Sequence, residues 1–317
     1  MKVGKLCAVI CGVCAVMIIF AGCVPSSEMK LNLSPKSETT YKVVTGSTKD
    51  YEFVQPSINK TKERHTGGSV EMVFSQSIES VDEQGNAIAN ITIKQLKYTS
   101  ADSQGKEVGF DSTTANESDP MTKLIGASYK IKISPKGAVE VVDASAARAL
   151  VKQGASEKTA ARMLSDEEIA RRHQVMALFD AKDSYKKGEK WSSVTASPAG
   201  MLRSKSFEKV YTLTDIKEEN DQKIATIEMN AVPSSKRVEG ASDKEAGMGM
   251  FANMFDEKDE YTGKMIINLT TGTILSYDET LKAQWVAAET SEEQKSDKGP
   301  DQLTMGFTYN YSIEKVD

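Results

Sequence analysis

Hydrophobic and polar residues alternate along most of the chain after residue 38. Val70, Met72 and Phe74, for example, are separated by single residues and share one face of a period-two pattern. This period is typical of strands, because successive side chains of a strand point to opposite faces. The turn-forming clusters 82–86 and 134–137 each separate two such runs, so the pattern predicts antiparallel hairpins around both.

The period changes between residues 144 and 182, where the pattern is helical. Residues 144–151 are rich in alanine, a strong helix former. Ser165 and Glu168 have the spacing of a capping box, which marks the start of a helix. Behind this cap, the residues that share one helical face are Ile169, Arg172, Val175, Met176 and Phe179.

The strand-rich stretch after residue 183 repeats the order of the first one. Residues 70–74 align with 207–211, and residues 88–93 align with 224–229. Tyr129, Ile131 and Ile133 then align with Met265, Ile267 and Leu269, and Gly137 aligns with Gly272. The spacing indicates an internal duplication, and chance similarity between two strand-rich stretches is the alternative.

These patterns together predict an α+β protein that is mainly antiparallel β. Two similar strand-rich halves, residues 38–143 and 183–317, are joined by the helical segment 144–182. The pattern leaves open whether the halves form one sheet or two domains.

The start of the chain has the pattern of an export signal. Lys2 and Lys5 precede an apolar run, residues 6–20, that is shorter than the roughly 20 residues of a membrane-spanning helix. The run ends in Phe20-Ala21-Gly22-Cys23, which resembles a lipobox except that Phe20 replaces the usual leucine. An ordinary signal peptide or N-terminal anchor with a chance cysteine is the alternative.

The lipobox pattern predicts a bacterial lipoprotein. Residues 1–22 are then the signal peptide, Cys23 carries the acyl chains (palmitate or similar), and residues 23–37 form a lipidated N-terminus and tether. The residue after Cys23 is Val24, and by resemblance to Gram-negative sorting rules this favours the outer membrane. The predicted location is the cell envelope, facing the periplasm or the cell surface if the organism has two membranes.

The net charge and the cysteine content exclude some kinds of binding partner and some kinds of metal or disulfide site. The formal net charge is −5, and the sequence has no run of basic residues. Nucleic acid is therefore not an expected partner. Three of the four cysteines lie inside the predicted leader, which leaves Cys23 alone in the mature chain. We therefore expect neither a disulfide nor a thiolate metal site.

Catalytic motifs are sparse in this sequence. The only histidines are His65, in a charged stretch, and His173, which the helical pattern places off the apolar face; both are predicted to be surface residues. The mature chain contains no Cys-x-x-Cys, His-x-x-x-His or Gly-x-Ser-x-Gly spacing. The acidic pairs fall in predicted turns and helix starts, where solvated carboxylates are common. We therefore predict no catalytic residues, no metal and no cofactor.

One stretch is unusually rich in methionine and phenylalanine. Methionine adapts to irregular apolar contacts, so these side chains are candidates for contact with a lipid, an apolar ligand or a protein partner. A short helix that closes one end of a sheet is the alternative. The candidate residues are Met248, Met250, Phe251, Met254 and Phe255.

The order of several short motifs resembles a domain family of unknown function in bacterial exported proteins, notably from planctomycetes. The motifs include the strand at 88–92, Phe110-Asp111-Ser112-Thr113, the hairpin at 129–139 and Lys187-Gly188-Glu189-Lys190-Trp191. The resemblance covers about residues 40–317 and implies no activity. A looser analogy at the level of fold is to periplasmic lipoproteins and carriers in which helices cover an open half-barrel that holds acyl chains.

Two functional hypotheses follow from the sequence. The first is a non-catalytic, membrane-anchored module that binds a lipid or another apolar small molecule between a curved sheet and the helices. The second is a structural or protein-interaction lipoprotein of the envelope, with a solid core and an envelope protein as partner. An enzyme is the third choice.

Overall fold

The computed structural model describes residues 27–102, 104–152, 156–182, 184–202, 205–236, 238, 254–290, 293 and 297–316. Cys23 and the predicted signal peptide lie outside these residues, as do Met248, Met250 and Phe251 of the methionine-rich stretch. Within the described ranges, no helix is both long and apolar enough to cross a membrane.

The fold is mainly antiparallel β, with a few short helices, which confirms the predicted class. In the described part of the chain, twelve of the fourteen strands form one sheet. The strands are β1 (Ser27–Glu28), β2 (Glu38–Gln55), β3 (Lys60–Val81), β4 (Ala87–Ala101), β5 (Glu107–Asp111), β6 (Ser128–Ile133), β7 (Val139–Asp143), β8 (Ser184–Tyr185), β9 (Lys190–Ala196), β10 (Ser206–Glu219), β11 (Gln222–Ser234), β12 (Asp256–Asn268), β13 (Thr273–Ala288) and β14 (Gln302–Val316).

The sheet is a meander in which the first half runs outward from the centre and the second half runs back to it. The order is β7-β6-β4-β3-β2-β14-β13-β12-β11-β10-β9, with β5 paired to β4. β2 pairs with the whole length of β14, from Thr40–Val316 to Val54–Gln302. The two predicted halves are therefore parts of one continuous sheet.

The helical segment connects the two edge strands, β7 and β9. It contains α1 (Ser145–Ala149), α2 (Ser156–Met163), α3 (Asp166–His173) and a 3₁₀-helix (Met176–Leu178); two further 3₁₀-helices span Pro56–Ile58 and Pro120–Leu124. The capping prediction for α3 is confirmed, since the Ser165 side chain accepts a hydrogen bond from the Glu168 amide. The helix is shorter than predicted because the Val175 amide bonds the carbonyl of Gly137 in the β6–β7 turn.

Contacts of the helical segment show that the sheet is strongly curved. His173 contacts Tyr129 of β6, and only four residues later the Ala177 carbonyl accepts a hydrogen bond from Trp191 of β9. Nine strand spacings separate β6 from β9, which would be about 43 Å in a flat sheet, whereas four residues span at most about 14 Å. The sheet therefore wraps around this segment as a half-barrel, and we call residues 156–181 the helical plug.

The core lies between the concave face and the plug, and the alternation predicted it. Met72 and Phe74 of β3 are buried, as are Ala89, Ile91 and Ile93 of β4. The proposed repeat alignment pairs residues on the same face, because residues 207, 209 and 211 of β10 are buried like the inward positions of β3. A core position held by Met72 in the first half thus carries Lys209 in the second.

Part of the predicted tether is packed on the body. β1 pairs with β8, and Met29 is fully buried. The Leu31 and Asn32 amides then bond the carbonyls of Pro135 and Gly272, in the two turns that the repeat alignment makes equivalent. The contact at Gly272 is close, because a Cβ atom there would lie 2.2 Å from the Asn32 nitrogen. Residues 27–37 are thus a segment of the folded body, which the polar sequence alone did not indicate.

Candidate functional site

The helical plug divides the concave face of the half-barrel into two pockets. Along β2, Thr39 and Tyr41 line a pocket on one side of the plug, and Thr45, Ser47 and Lys49 line a pocket on the other. Val43, between them, is buried. The two pockets therefore lie over different stretches of the same strands and can hold different ligands.

The first pocket has an apolar interior and a hydroxyl-bearing mouth, and we call it the amphipathic pocket. Its volume is about 380 Å³. Thr270 and Thr271 of the β12–β13 turn and Ser34 and Ser37 of the N-terminal segment are exposed at its mouth. The apolar lining residues are Leu31, Leu33, Tyr41, Ile78, Ile133, Val175, Ile274 and Ile313.

His173 lines the amphipathic pocket and is buried, so the predicted surface position is wrong. Its ring packs edge-on against Phe74 with centroids 4.5 Å apart, and its Nε2 lies 2.6 Å from the Tyr129 hydroxyl. Burial and then the nearby Arg172 charge hold the pKa of His173 well below its usual value, which keeps the imidazole neutral. Its Nδ1 is buried and has no hydrogen-bond partner within the described part of the chain.

The second pocket is lined by polar and positively charged groups, and we call it the cationic pocket. It has a volume of about 350 Å³. Its floor is the concave face of β2 and β3, where Gly67 and Gly68 present no side chains. Among the described residues, its lining includes four cationic side chains and one carboxylate: Lys49, Arg162, Arg171, Arg172 and Glu168. Glu168 forms an ion pair with Arg171.

A buried ion pair lies on the concave face of the second half. The Lys209 ammonium of β10 bonds both carboxylate oxygens of Glu279 on β13 at 2.7 Å. The two residues are 1% and 4% exposed. Tyr261 donates a hydrogen bond to Glu279 at 2.7 Å, and Tyr277 donates a second one. Lys209 also lies 4.0 Å from the Met176 sulfur and 4.8 Å above the Tyr261 ring, which ties the plug to this network.

The surroundings of this network shift the pKa values of its two tyrosines. Burial, followed by the negative charge of Glu279, raises the pKa of Tyr261 and of Tyr277 well above the usual value for tyrosine. Both hydroxyls therefore remain protonated and keep donating to the carboxylate. With every charge paired, the network can fix the position of the plug, and it offers no free nucleophile or base.

A third cavity lies on the outer face of the sheet and is a groove of about 600 Å³, larger than the two pockets on the concave face. Thr304, Gly306 and Thr308 of β14 form its floor, with charged side chains of β12 and β13 on one side and of β2 and β3 on the other. His65 lies here and pairs with Asp50 at 2.5 Å, with both side chains more than half exposed. His65 is thus at the surface, as predicted.

The structure separates the described residues of the methionine-rich stretch. Met254 is 63% exposed, whereas Phe255 is partly buried and packs against the core. Neither residue lines one of the pockets described above. Lys209 and Glu279 were missed by the sequence analysis, although a lysine at an inward position of an alternating strand was a visible signal. In the described residues, no group of three His, Cys, Asp or Glu side chains is placed to hold a metal ion.

Sequence comparison identifies a family to which the chain is similar. The model of a family described as a family of unknown function, DUF6263, matches residues 84–274. No curated protein matches the chain in sequence. Nothing in these comparisons indicates an enzymatic activity.

Comparison with solved structures gives distant likenesses in architecture. A structure of lipid–protein interactions in lipovitellin matches 90% of this chain at 10% identity, with a TM-score of 0.39. The chain spans only 25% of the lipovitellin chain. DynF from Micromonospora chersina matches at 7% identity, covering 92% of this chain and 86% of its own, with a TM-score of 0.15. OpdQ from Pseudomonas aeruginosa matches at 8% identity, covering 87% and 97%, with a TM-score of 0.19. TM-scores this low do not indicate a shared function.

Proposed function

The chain belongs to the DUF6263 family of unknown function, and we propose that it is a membrane-anchored, non-catalytic lipoprotein that binds a lipid or another apolar small molecule. The ligand would occupy the amphipathic pocket, with its chain among the isoleucines and its polar end at the hydroxyl-bearing mouth. The single observation that carries this proposal is the combination of an apolar interior with the unpartnered Nδ1 of a buried, neutral His173.

The geometry of the pocket supports a small amphipathic ligand. Its volume of about 380 Å³ falls in the range of roughly 300–1,000 Å³ that is typical of ligand pockets. A buried polar atom without a hydrogen bond is costly. The Nδ1 atom can donate or accept according to its tautomer, so a hydroxyl, carbonyl or protonated carboxyl group of a ligand would satisfy it.

The position of the pocket relative to the predicted anchor also supports a membrane-derived ligand. Leu31, in the pocket wall, lies eight residues after Cys23. Eight residues span at most about 28 Å. With Cys23 acylated, the pocket would remain within that distance of the bilayer surface, where lipids are the most abundant apolar molecules.

A second candidate function is recognition of an envelope protein through the outer groove. This groove is larger than either pocket on the concave face, and acidic and basic side chains line both sides of it. An extended polar segment of a partner could lie along the short side chains of β14. Crosslinking in cells from residues of this groove, such as Gln284, should then capture one defined protein.

The anchoring part of the proposal is tested by the substitution Cys23→Ser. Without the thiol no diacylglyceryl group can be attached, so the variant is expected in the soluble fraction, whereas the unaltered chain sediments with membranes. Metabolic labelling with a palmitate analogue should mark the unaltered chain alone. Unlabelled, cytosolic protein with Cys23 present would contradict the proposal.

The binding part is tested with the C23S chain and a fluorescent fatty acid. Gln76 lines the amphipathic pocket from β3, and Ser77 is its neighbour on the opposite face of the strand. Gln76→Trp should fill the pocket and lower the affinity for the probe at least about tenfold, whereas Ser77→Trp should bind it like the parent chain. If the parent chain does not bind the probe, or if both variants bind it equally well, the amphipathic pocket is not the binding site.

A further inference from the structure

We propose that the cationic pocket is a second binding site, for a phosphate group carried by a small polyhydroxylated molecule or by a lipid headgroup. It lies across the plug from the amphipathic pocket and shares no lining residue with it. Phosphate binding here therefore does not depend on the proposed function and can be tested separately from it.

The charge of the pocket is opposite in sign to the net charge of the chain. The chain carries a formal net charge of −5, yet Lys49, Arg162, Arg171 and Arg172 line one pocket, and Glu168 is the one carboxylate among its described lining residues. Because Glu168 is already paired with Arg171, three cationic side chains line the pocket without an acidic partner among the described lining residues. A concave site lined by one sign of charge concentrates ligands of the opposite sign.

The buried side chain of Arg172 is the strongest argument that this pocket binds an anion. Its side chain is 2% exposed, and its Nη2 donates to the Met163 carbonyl at 2.9 Å. The guanidinium lies near the Tyr129 hydroxyl and works to lower the pKa of that group, but its buried Nε and Nη1 atoms make no hydrogen bond of good geometry to the residues that the structure describes. A buried guanidinium is costly unless an anion and further hydrogen bonds compensate it. Each of these N–H groups can donate a charge-assisted hydrogen bond to an oxygen of an anion such as phosphate.

Phosphate fits the remaining lining better than a carboxylate does. A phosphate group has three or four acceptor oxygens, so it can bond the guanidinium and further donors at the same time. Beside the arginines, the concave face offers hydroxyl groups from Thr45, Ser47 and Thr66. The volume of about 350 Å³ exceeds that of a single phosphate, and the hydroxyl-rich floor is suited to a polyol attached to it.

Calorimetric titration of the C23S chain at low ionic strength tests this site. The probes are inorganic phosphate, glycerol 3-phosphate and dihexanoyl phosphatidic acid, with glycerol as the uncharged control. We expect all three phosphates to bind and glycerol not to bind. Tightest binding of glycerol 3-phosphate would identify a soluble phosphorylated polyol as the ligand class, and tightest binding of the phosphatidic acid would identify a lipid headgroup.

Variants assign the binding to the pocket. Arg172→Met should weaken phosphate binding at least about tenfold, because it removes charged hydrogen bonds. Lys49 and Arg162 are exposed, so the double variant K49M/R162M keeps the fold and should show a comparable loss. The double variant K152M/K158M removes the same charge from exposed positions outside the pocket and should bind like the C23S chain. Failure of all three phosphates to bind, or equal binding by the two double variants, would overturn the proposal.

Discussion

Replacing Glu279 with glutamine is expected to lower the free energy of unfolding by about 3–5 kcal/mol, because it leaves the Lys209 ammonium buried without an anion. Lys209 is 1% exposed, and both of its bonds to a charged group go to Glu279. Glutamine keeps the shape of the side chain, so the loss would report the charge rather than a cavity. Urea unfolding followed by circular dichroism measures it.

The matched control is the double variant K209M/E279Q. Met72 holds the position that the repeat alignment makes equivalent to residue 209, so methionine suits an inward site of this sheet. Removing both charges should restore stability to within about 1 kcal/mol of the parent chain or exceed it. If E279Q alone is as stable as the parent chain, the ammonium does not depend on this carboxylate and the network is assigned wrongly.

Raising the pH above 10 is expected to unfold the protein cooperatively. Burial raises the pKa of Tyr41 to about 12 and raises the pKa values of six other buried tyrosines above the usual 10.0; these are Tyr129, Tyr211, Tyr261, Tyr277, Tyr309 and Tyr311. In the unfolded chain these groups ionise near pH 10, whereas in the folded chain they keep their protons. The unfolded state therefore binds fewer protons above pH 10, and stability falls as the pH rises.

The size of the effect follows from the number of groups. Each tyrosine contributes about 1.4 kcal/mol of lost stability per pH unit above its unfolded pKa. Seven of them together would remove a typical stability of about 5–15 kcal/mol within about one to two units. Tyrosinate absorbance near 295 nm and circular dichroism should change in a single shared transition. Gradual ionisation of these tyrosines while the fold persists would contradict the buried network.

The strands could be predicted from the sequence because each half is a meander of neighbouring hairpins. The turns at Gly85 and Gly137 and the inward faces of β4 and β6 depend on local alternation, which a period-two pattern shows directly. The joining of the halves could not be predicted. β2 and β14 lie near opposite ends of the sequence but pair with each other. No local pattern specifies which strands pair at such a large sequence separation.

The site was harder to predict because it depends on how the plug lies against the sheet. The helical pattern after Ser165 placed His173 off the apolar face, but α3 ends at His173, whose ring packs against Phe74 of the sheet. Lys209 breaks the alternation of β10 in a visible way, whereas its partner Glu279 is 70 residues away and is found only from the strand register. The orphaned atoms of Arg172 and His173 likewise become evident only when their surroundings are known.

Native mass spectrometry of the full chain purified from membranes can detect acylation and lipid binding in one experiment. We expect the covalently acylated polypeptide plus one noncovalent lipid, which collisional activation removes. The Gln76→Trp variant should lack this second mass, while Ser77→Trp should retain it. A parent chain that carries no noncovalent lipid and takes none up from added fatty acid would contradict the proposed function.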